Sequence, residues 1–467
     1  MISHMARRGK KECDSFIRIS LVTGAGAPVV MLASGTRGDV QPFLALGLGV
    51  RQAGIPVVIA AAPRFRSLVE SRGVGFAALE GNPSDLMAAG PGSMAGSLSG
   101  GLARGIVSTT RFLRGAQLEY HRMLESGAAA CRPARAILAG LSSTWGFSIA
   151  EALGVPLVLC MLQPFGRTRA FPSALLPARG SLGAGYNALS YRVMEKAMWL
   201  PWRRRTNAWR QRTLGLPPLP VAGPWRGLYA SGFSCLYGFS PAVFSAPMDW
   251  PPTHVVTGYW FLEGKPGWTP RPGLENFLSS GDPPLYIGFG SMGMNHGSGA
   301  LRVIDRALEL SGLRAVVSPG GRNRGRLPPE GSRRTYVGED VPHSWLFPRV
   351  TAVVHHGGAG TTAEGLRAGV PSIIFPAAAD QYFWGERIAR LGAGLCPLSR
   401  GALTPGAVAN LFIRAAVDRG MRERAQRIGE RIRAENGVAR AVDALMPLLG
   451  SAPRKLRAHL HPASPRD

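Results

Sequence analysis

Residues 353–394 read VVHHGGAGTTAEGLRAGVPSIIFPAAADQYFWGERIARLGAG, and the order of residue types in this stretch decides the fold. An apolar run from Thr351 to Val354 predicts a strand. Two histidines follow, then Gly357, Gly358 and Gly360, and from Thr361 an Ala/Leu/Glu/Arg run predicts a helix to about Ala368. Gly369 and Pro371 stop that helix. Ser372 to Phe375 predicts a second strand, leading to Asp380-Gln381. A glycine-rich turn at a helix start exposes backbone N–H groups at the positive end of the helix dipole, which makes a phosphate site. Glycine lets the backbone approach a diphosphate closely. A histidine at the turn can donate a further hydrogen bond to a phosphate oxygen, and an Asp-Gln pair at the mouth of the next strand can bond sugar hydroxyls.

A second block stands near the N-terminus. PVVMLASGTRGD (28–39) predicts a strand and a glycine-rich loop, VQPFLALGLGVRQAG a helix, and IPVVIAAA the next strand. Together they make one βαβ unit. Asp39 stands where the helix opens, a position at which aspartate caps well.

These blocks resemble the nucleotide-sugar glycosyltransferases of GT-B fold in the UDP-glycosyltransferase superfamily, in particular the sterol 3-β-glucosyltransferases and the bacterial enzymes that glycosylate macrolides and glycopeptides. HHGGAGTT, RAGVP, the spacing to Asp380-Gln381 and ASGTRGDVQPFLALGLGVRQAG carry the resemblance, which extends over residues 28–440. It implies an α/β architecture of two Rossmann-like doubly wound domains facing a cleft, with ligands at the carboxyl ends of the strands. It also implies inverting, metal-independent transfer of a hexose, glucose by preference. The donor would be a UDP-sugar and the acceptor a hydroxyl of a lipophilic molecule such as a sterol, hopanoid or other lipid. A dTDP-sugar donor with a macrolide, polyketide or glycopeptide aglycone is the alternative. No cofactor is implied beyond the nucleotide sugar, which is a co-substrate, and no Asp-x-Asp metal motif occurs.

The resemblance assigns roles residue by residue. Asp39 becomes the catalytic base, a role compatible with capping. Ser291, His356, Gly357, Gly358, Gly360 and Thr361 become the diphosphate contacts, while His355 belongs to the strand. Glu364 matches an acidic residue on the ribose; the other reading is a capping box, Thr361-x-x-Glu364. Val341, Pro342 and His343 fall in the loop that packs on the nucleotide base. Asp380 and Gln381 match the sugar-binding pair. Trp145, Gln163 and Phe165 lie where the family's acceptor pocket opens, with plain core packing as the other reading for Trp145 and Phe165. A non-hydrolytic epimerase shares the fold, and an inactive homologue acting as a helper protein would share the sequence. The HHGGAGTT and GTRGDVQP blocks speak against the epimerase, and the intact Asp39, His356, Asp380 and Gln381 speak against the inactive homologue.

With 467 residues, two domains of ordinary size are the prior. The expected division is an extension at 1–27, an acceptor domain at 28–248, a proline-rich linker at 249–283 and a donor domain at 284–436. A helix at 437–450 crosses back to the first domain, and a polar tail occupies 451–467. The formal charge of +26 comes almost entirely from arginine. It fits a GC-rich coding bias, or attraction to anionic lipid. No nucleic-acid motif accompanies it, so nucleic acid is not an expected partner. The five cysteines are widely spaced without a CxxC, which predicts free thiols and a cytoplasmic protein. No apolar run reaches the ~20 residues of a membrane span. Within 186–212, Trp199, Trp202 and Trp209 interleave with Arg203, Arg204 and Arg205. Two readings stay open there: peripheral contact with the inner face of a membrane, or a helix pair packed on the first domain. The Gly/Ser/Ala/Met-rich stretch at 82–130 reads either as a lid over the acceptor or as a surface loop.

Overall fold

The computed structural model describes residues 26–81, 102–176, 181–264, 267–289, 297–318, 334–338, 341–377, 380–397 and 404–449. Ser291 and the first part of the expected lid, 82–101, lie outside them. The second part is not a loop: Leu102–Cys131 is a single helix.

Short runs of valine, leucine, isoleucine and alanine form two parallel sheets. The first contains β1 (Val29–Leu32), β2 (Val57–Ala61), β3 (Gly75–Ala78), β4 (Ala136–Ala139), β5 (Leu157–Met161), β6 (Ser234–Tyr237) and β7 (His254–Val256), in the order β3-β2-β1-β4-β5-β6-β7. The second contains β8 (Leu285–Gly288), β9 (Ala315–Ser318), β10 (Thr335–Val337), β11 (Ala352–His355), β12 (Ser372–Ile374) and β13 (Gly394–Leu395), in the order β10-β9-β8-β11-β12-β13. β1, β4, β5, β8 and β11 are buried along their whole length, which is why they read as continuous apolar runs rather than alternating ones. Strand order reverses between β1 and β4 and again between β8 and β11. A crevice at the carboxyl ends of the strands opens at such switch points.

β7 lies inside the proline-rich stretch at 249–283: His254–Val256 pairs in parallel with β6. Three residues between prolines and a glycine are too few to show a period. At the other end of the chain, helix Gly437–Leu449 inserts Ala441, Val442, Leu445 and Leu449 into the core around β1 and helix α1 (Arg37–Gln52). The helix Pro405–Val417 packs instead on β8 and β11 through Val408, Ala409 and Phe412.

The tryptophan–arginine segment takes the second of its two readings, a helix pair packed on the first sheet. It forms two helices, Ala184–Trp199 and Arg203–Thr213, on either side of Pro201. Its tryptophans turn inward. Trp209 is fully buried, Trp199 donates to the Pro220 carbonyl at 3.2 Å, and Trp202 lies 4.6 Å from the Tyr120 ring. Arg210 is buried with them and pairs with the equally buried Glu151 at 2.9 Å. Trp199 and Trp209 belong to the core of the first sheet, and Trp202 packs against it. Among the described residues no helix is long and apolar enough to cross a membrane, and Cys131, Cys160, Cys235 and Cys396 are free thiols.

Candidate active site

The loop after β1 is shaped by its smallest residue. Gly35 has φ +128°, and a Cβ there would collide with the Asp39 carboxylate. The loop is pinned on both sides: Ser34 shares a 2.7 Å hydroxyl–hydroxyl bond with Ser143, and Arg64 donates to the Gly35 carbonyl at 2.9 Å. Thr36 rather than Asp39 is the N-cap of α1, which starts at Arg37, three residues before the helix expected from Val40. Asp39 is the third helical residue. Its Oδ2 accepts from the Thr36 N–H at 2.7 Å and from the Thr36 hydroxyl at 3.0 Å. It closes a capping box and stays half-buried at the cleft. Desolvation raises its carboxyl above the ordinary range, and the Thr36 bonds oppose that rise.

The second loop follows β11. His355 ends the strand, fully buried, and its Nδ1 accepts from the Gly357 N–H at 3.1 Å. That bond places the ring proton on Nε2. Gly357 has φ +90°, and a Cβ there would lie 2.7 Å from Ile374 Cγ2. The His356 ring folds over Gly358, where a Cβ would sit 2.6 Å from Nε2. The His356 Nδ1 is buried and has no partner among the described residues. Burial pulls its pKa down to about 4, so the ring is neutral at pH 7. Helix Ala359–Arg367 starts two residues before the expected Thr361, because Gly358 in extended conformation is the N-cap. Thr362 N–H makes the first intrahelical bond, to the Gly358 carbonyl. The N–H groups of Ala359, Gly360 and Thr361 belong to the first turn, which has no intrahelical acceptors.

This helix start removes the capping-box reading of Glu364. Thr361 lies inside the helix, not at its cap. Glu364 sits in the second turn, where burial first, and then Glu263, raise its pKa to about 7 against the pull of Arg367.

Asp380 is the N-cap of helix Gln381–Arg390. Its Oδ2 accepts from the Trp384 indole N–H at 3.2 Å. Desolvation, then the charge of Asp39, raise its pKa to about 6. Helix α1 also packs against helix Ala359–Arg367, so the loop after β11 and the loop after β1 face each other. Arg37 of the same loop also acts on His343, which burial and this neighbouring charge lower to about 4. Gln381 differs from Asp380: it is buried, and its Oε1 accepts from the Ala377 N–H at 2.8 Å.

Pro342 caps the short helix His343–Leu346. The His343 ring stacks on Phe347 at 4.4 Å and bonds the Tyr286 hydroxyl at 3.1 Å, with Val341 packed on the same cluster. In the first unit, Trp145 is buried and donates to the Ser142 carbonyl, and Phe165 packs on Trp225 at 5.4 Å. Both lie in the hydrophobic core. Gln163 is buried with an Nε2 that has no partner among the described residues. Sequence reasoning missed Trp384, although its place one helical turn after Asp380 was a readable signal. It also missed the Ser34–Ser143 bond, which no local pattern announces. Among the described residues no group of three or more His, Cys, Asp or Glu is placed to hold a metal ion.

Two parallel α/β units with facing ligand loops are the arrangement of the GT-B fold, and sequence comparison points to glycosyltransferases. Residues 29–172 match the profile of the glycosyltransferase family 28 N-terminal domain, and residues 325–448 that of the erythromycin biosynthesis protein CIII-like C-terminal domain. The chain has the GT-B fold, and a segment of each unit matches a glycosyltransferase-related family profile. It is 32% identical to a sterol 3-beta-glucosyltransferase of Cryptococcus neoformans var. neoformans over 94% of its own length. It spans only 29% of that relative. Among solved structures it is similar to the glycotransferase of kitacinnamycin (TM-score 0.63, 18% identity, 91% of this chain and 100% of that one). It is also similar to the spinosyn rhamnosyltransferase SpnG complexed with thymidine diphosphate (TM-score 0.58, 18% identity, 89% and 99%).

Proposed function

We propose that this chain transfers a hexose, glucose by preference, from a UDP-sugar to a hydroxyl of a lipophilic acceptor such as a sterol, with inversion at the anomeric carbon. The observation that carries the reading is that α1, which holds Asp39, packs against helix Ala359–Arg367, which opens at the glycine turn of the second unit. We assign the Asp39 carboxylate to the acceptor and that of Asp380 to the donor. We assign the acceptor to the unit of β1–β7 and the donor to the unit of β8–β13, with residues 437–449 returning to the first.

Asp39 accepts the proton of the acceptor hydroxyl as that oxygen attacks the anomeric carbon. The bond from that carbon to the diphosphate oxygen breaks, and its electron pair leaves with the nucleoside diphosphate. The charge that develops there falls on the first-turn amides of Ala359, Gly360 and Thr361 and on the neutral His356 ring. A raised pKa makes Asp39 a better proton acceptor than an ordinary aspartate. Asp380 holds sugar hydroxyls, and Gln381, bonded to Ala377, shapes the wall behind it. Glu364 is assigned to the ribose and the 341–343 backbone to the base. Gln163, whose amide nitrogen has no partner among the described residues, is assigned to the acceptor, and Trp145 and Phe165 support it from the core.

The match of 325–448 to an erythromycin-biosynthesis domain favours one second reading: a dTDP-sugar donor and a macrolide or polyketide acceptor. The test is incubation with UDP-glucose or dTDP-glucose against sterol and macrolide panels, reading nucleotide release and glycoside mass. UDP release with a sterol is expected. Release only from dTDP-glucose with a macrolide establishes the second reading, and no release with any hydroxyl acceptor overturns both.

A further inference from the structure

We propose that Trp384 is a positioning residue that ties the orientation of the Asp380 carboxylate to the packing between the two units. The proposal rests on the reading of Asp380 as the sugar-holding carboxylate. Trp384 lies one helical turn after Asp380, and its indole N–H, the only donor the side chain has, goes to Asp380 Oδ2 at 3.2 Å. The ring itself is buried against the other unit: Phe239, just beyond β6, meets it edge to face at 5.7 Å. The contact belongs to a wider aromatic seam. Phe383, its neighbour on the same helix, lies 5.3 Å from Phe244 and 6.1 Å from Phe171, both on the first unit. Arg387, one turn further, donates to the Val243 carbonyl at 2.5 Å.

Edge-to-face packing fixes the plane of an aromatic ring. For an indole it therefore fixes the direction of the N–H. Phenylalanine would fill the same seam, as it does at 383, 239 and 244, but it has no donor. The N–H faces a carboxylate that is desolvated and repelled by Asp39, so the bond supports the charged form of Asp380 where little else does. A shift of the first unit against the second moves Phe239 on the indole and turns the donor that orients Asp380. The sugar subsite on one unit is thereby sensitive to how the other unit is seated.

The test compares Trp384→Phe, Phe239→Leu, Asp380→Ala and the double variant Asp380→Ala/Trp384→Phe, measuring affinity for UDP-glucose, affinity for UDP and the melting temperature. Loss of a hydrogen bond to a charged group weakens UDP-glucose about tenfold in Trp384→Phe, with UDP affinity unchanged. Phe239→Leu, which touches no donor, lowers the same ratio about threefold. Trp384→Phe has no further effect once Asp380 is alanine. If Trp384→Phe weakens both ligands equally, or neither, while Asp380→Ala changes the ratio, the indole is packing alone and the proposal is overturned. An unchanged ratio in Phe239→Leu also overturns the link to the facing unit. If Asp380→Ala leaves the ratio unchanged, the sugar-holding reading itself fails.

Discussion

The Thr36 backbone N–H donates to Asp39 Oδ2 at 2.7 Å, and the Thr36 hydroxyl meets the same oxygen at 3.0 Å. The N-cap residue of α1 thus fixes the carboxylate assigned as base, and capping and catalysis need not compete. Asp39→Asn keeps an oxygen for Thr36 but cannot take a proton. It should lower kcat by about 10²- to 10⁴-fold with UDP-glucose affinity unchanged. Asp39→Ala should lose activity and also about 1 kcal/mol of stability as the capping box opens. Near-full turnover in Asp39→Asn would exclude the base assignment.

His356→Ala should weaken UDP and UDP-glucose by the same factor, about tenfold, because the ring is assigned to the diphosphate shared by both. Turnover measured with and without a chelator should be equal, since these assignments include no metal. Activity abolished by chelation and restored by Mg²⁺ or Mn²⁺ would contradict them.

Glu364 makes a pH-dependent contribution whose sign is unusual for a carboxylate. Its pKa in the fold is about 7 against a reference of 4.5. The folded state therefore binds the extra proton, and stability falls as pH rises through this window. Glu364→Gln mimics the protonated side chain. It should raise the melting temperature at pH 8, corresponding to roughly 1–3 kcal/mol, and change it little at pH 4.5. Thermal melts at both pH values check this; an equal effect at both would refute it.

Glu151 and Arg210 form a fully buried pair at 2.9 Å in the core of the first sheet. Glu151→Ala removes the carboxylate beside a buried guanidinium that also donates to the Ser148 hydroxyl and the Pro217 carbonyl. A loss of about 3–5 kcal/mol is expected in urea unfolding. Replacing both partners by apolar residues of similar volume should cost much less.

The legible parts were those whose cause is local. β11, the glycine turn and β12 are fully buried strands flanking residues with special backbone needs, and both properties are written in residue type. Helix starts were missed by two or three residues because the caps are Thr36 and Gly358, while the eye follows the apolar periodicity further on. The Trp199–Trp209 segment was ambiguous for a deeper reason: interleaved aromatic and basic residues describe an amphipathic helix equally well whether its aromatic side meets lipid or protein. Only the position of Tyr120, 82 residues before Trp202 in the chain, decides between them. Asp380 was legible as half of an Asp-Gln pair at the mouth of a strand, but its partner Trp384 looked like ordinary core. The core contact and the indole bond are properties of one ring.

Helix Gly437–Leu449 also sets an order of events during synthesis. It covers α1 and β1, formed from residues made more than 380 positions earlier, so the first sheet lacks one wall until residues 437–449 have been made. A nascent chain stalled before residue 437 should present the apolar side of α1 to chaperones, and the helix carrying the assigned base should reach full protection from hydrogen exchange only after the second unit has been translated.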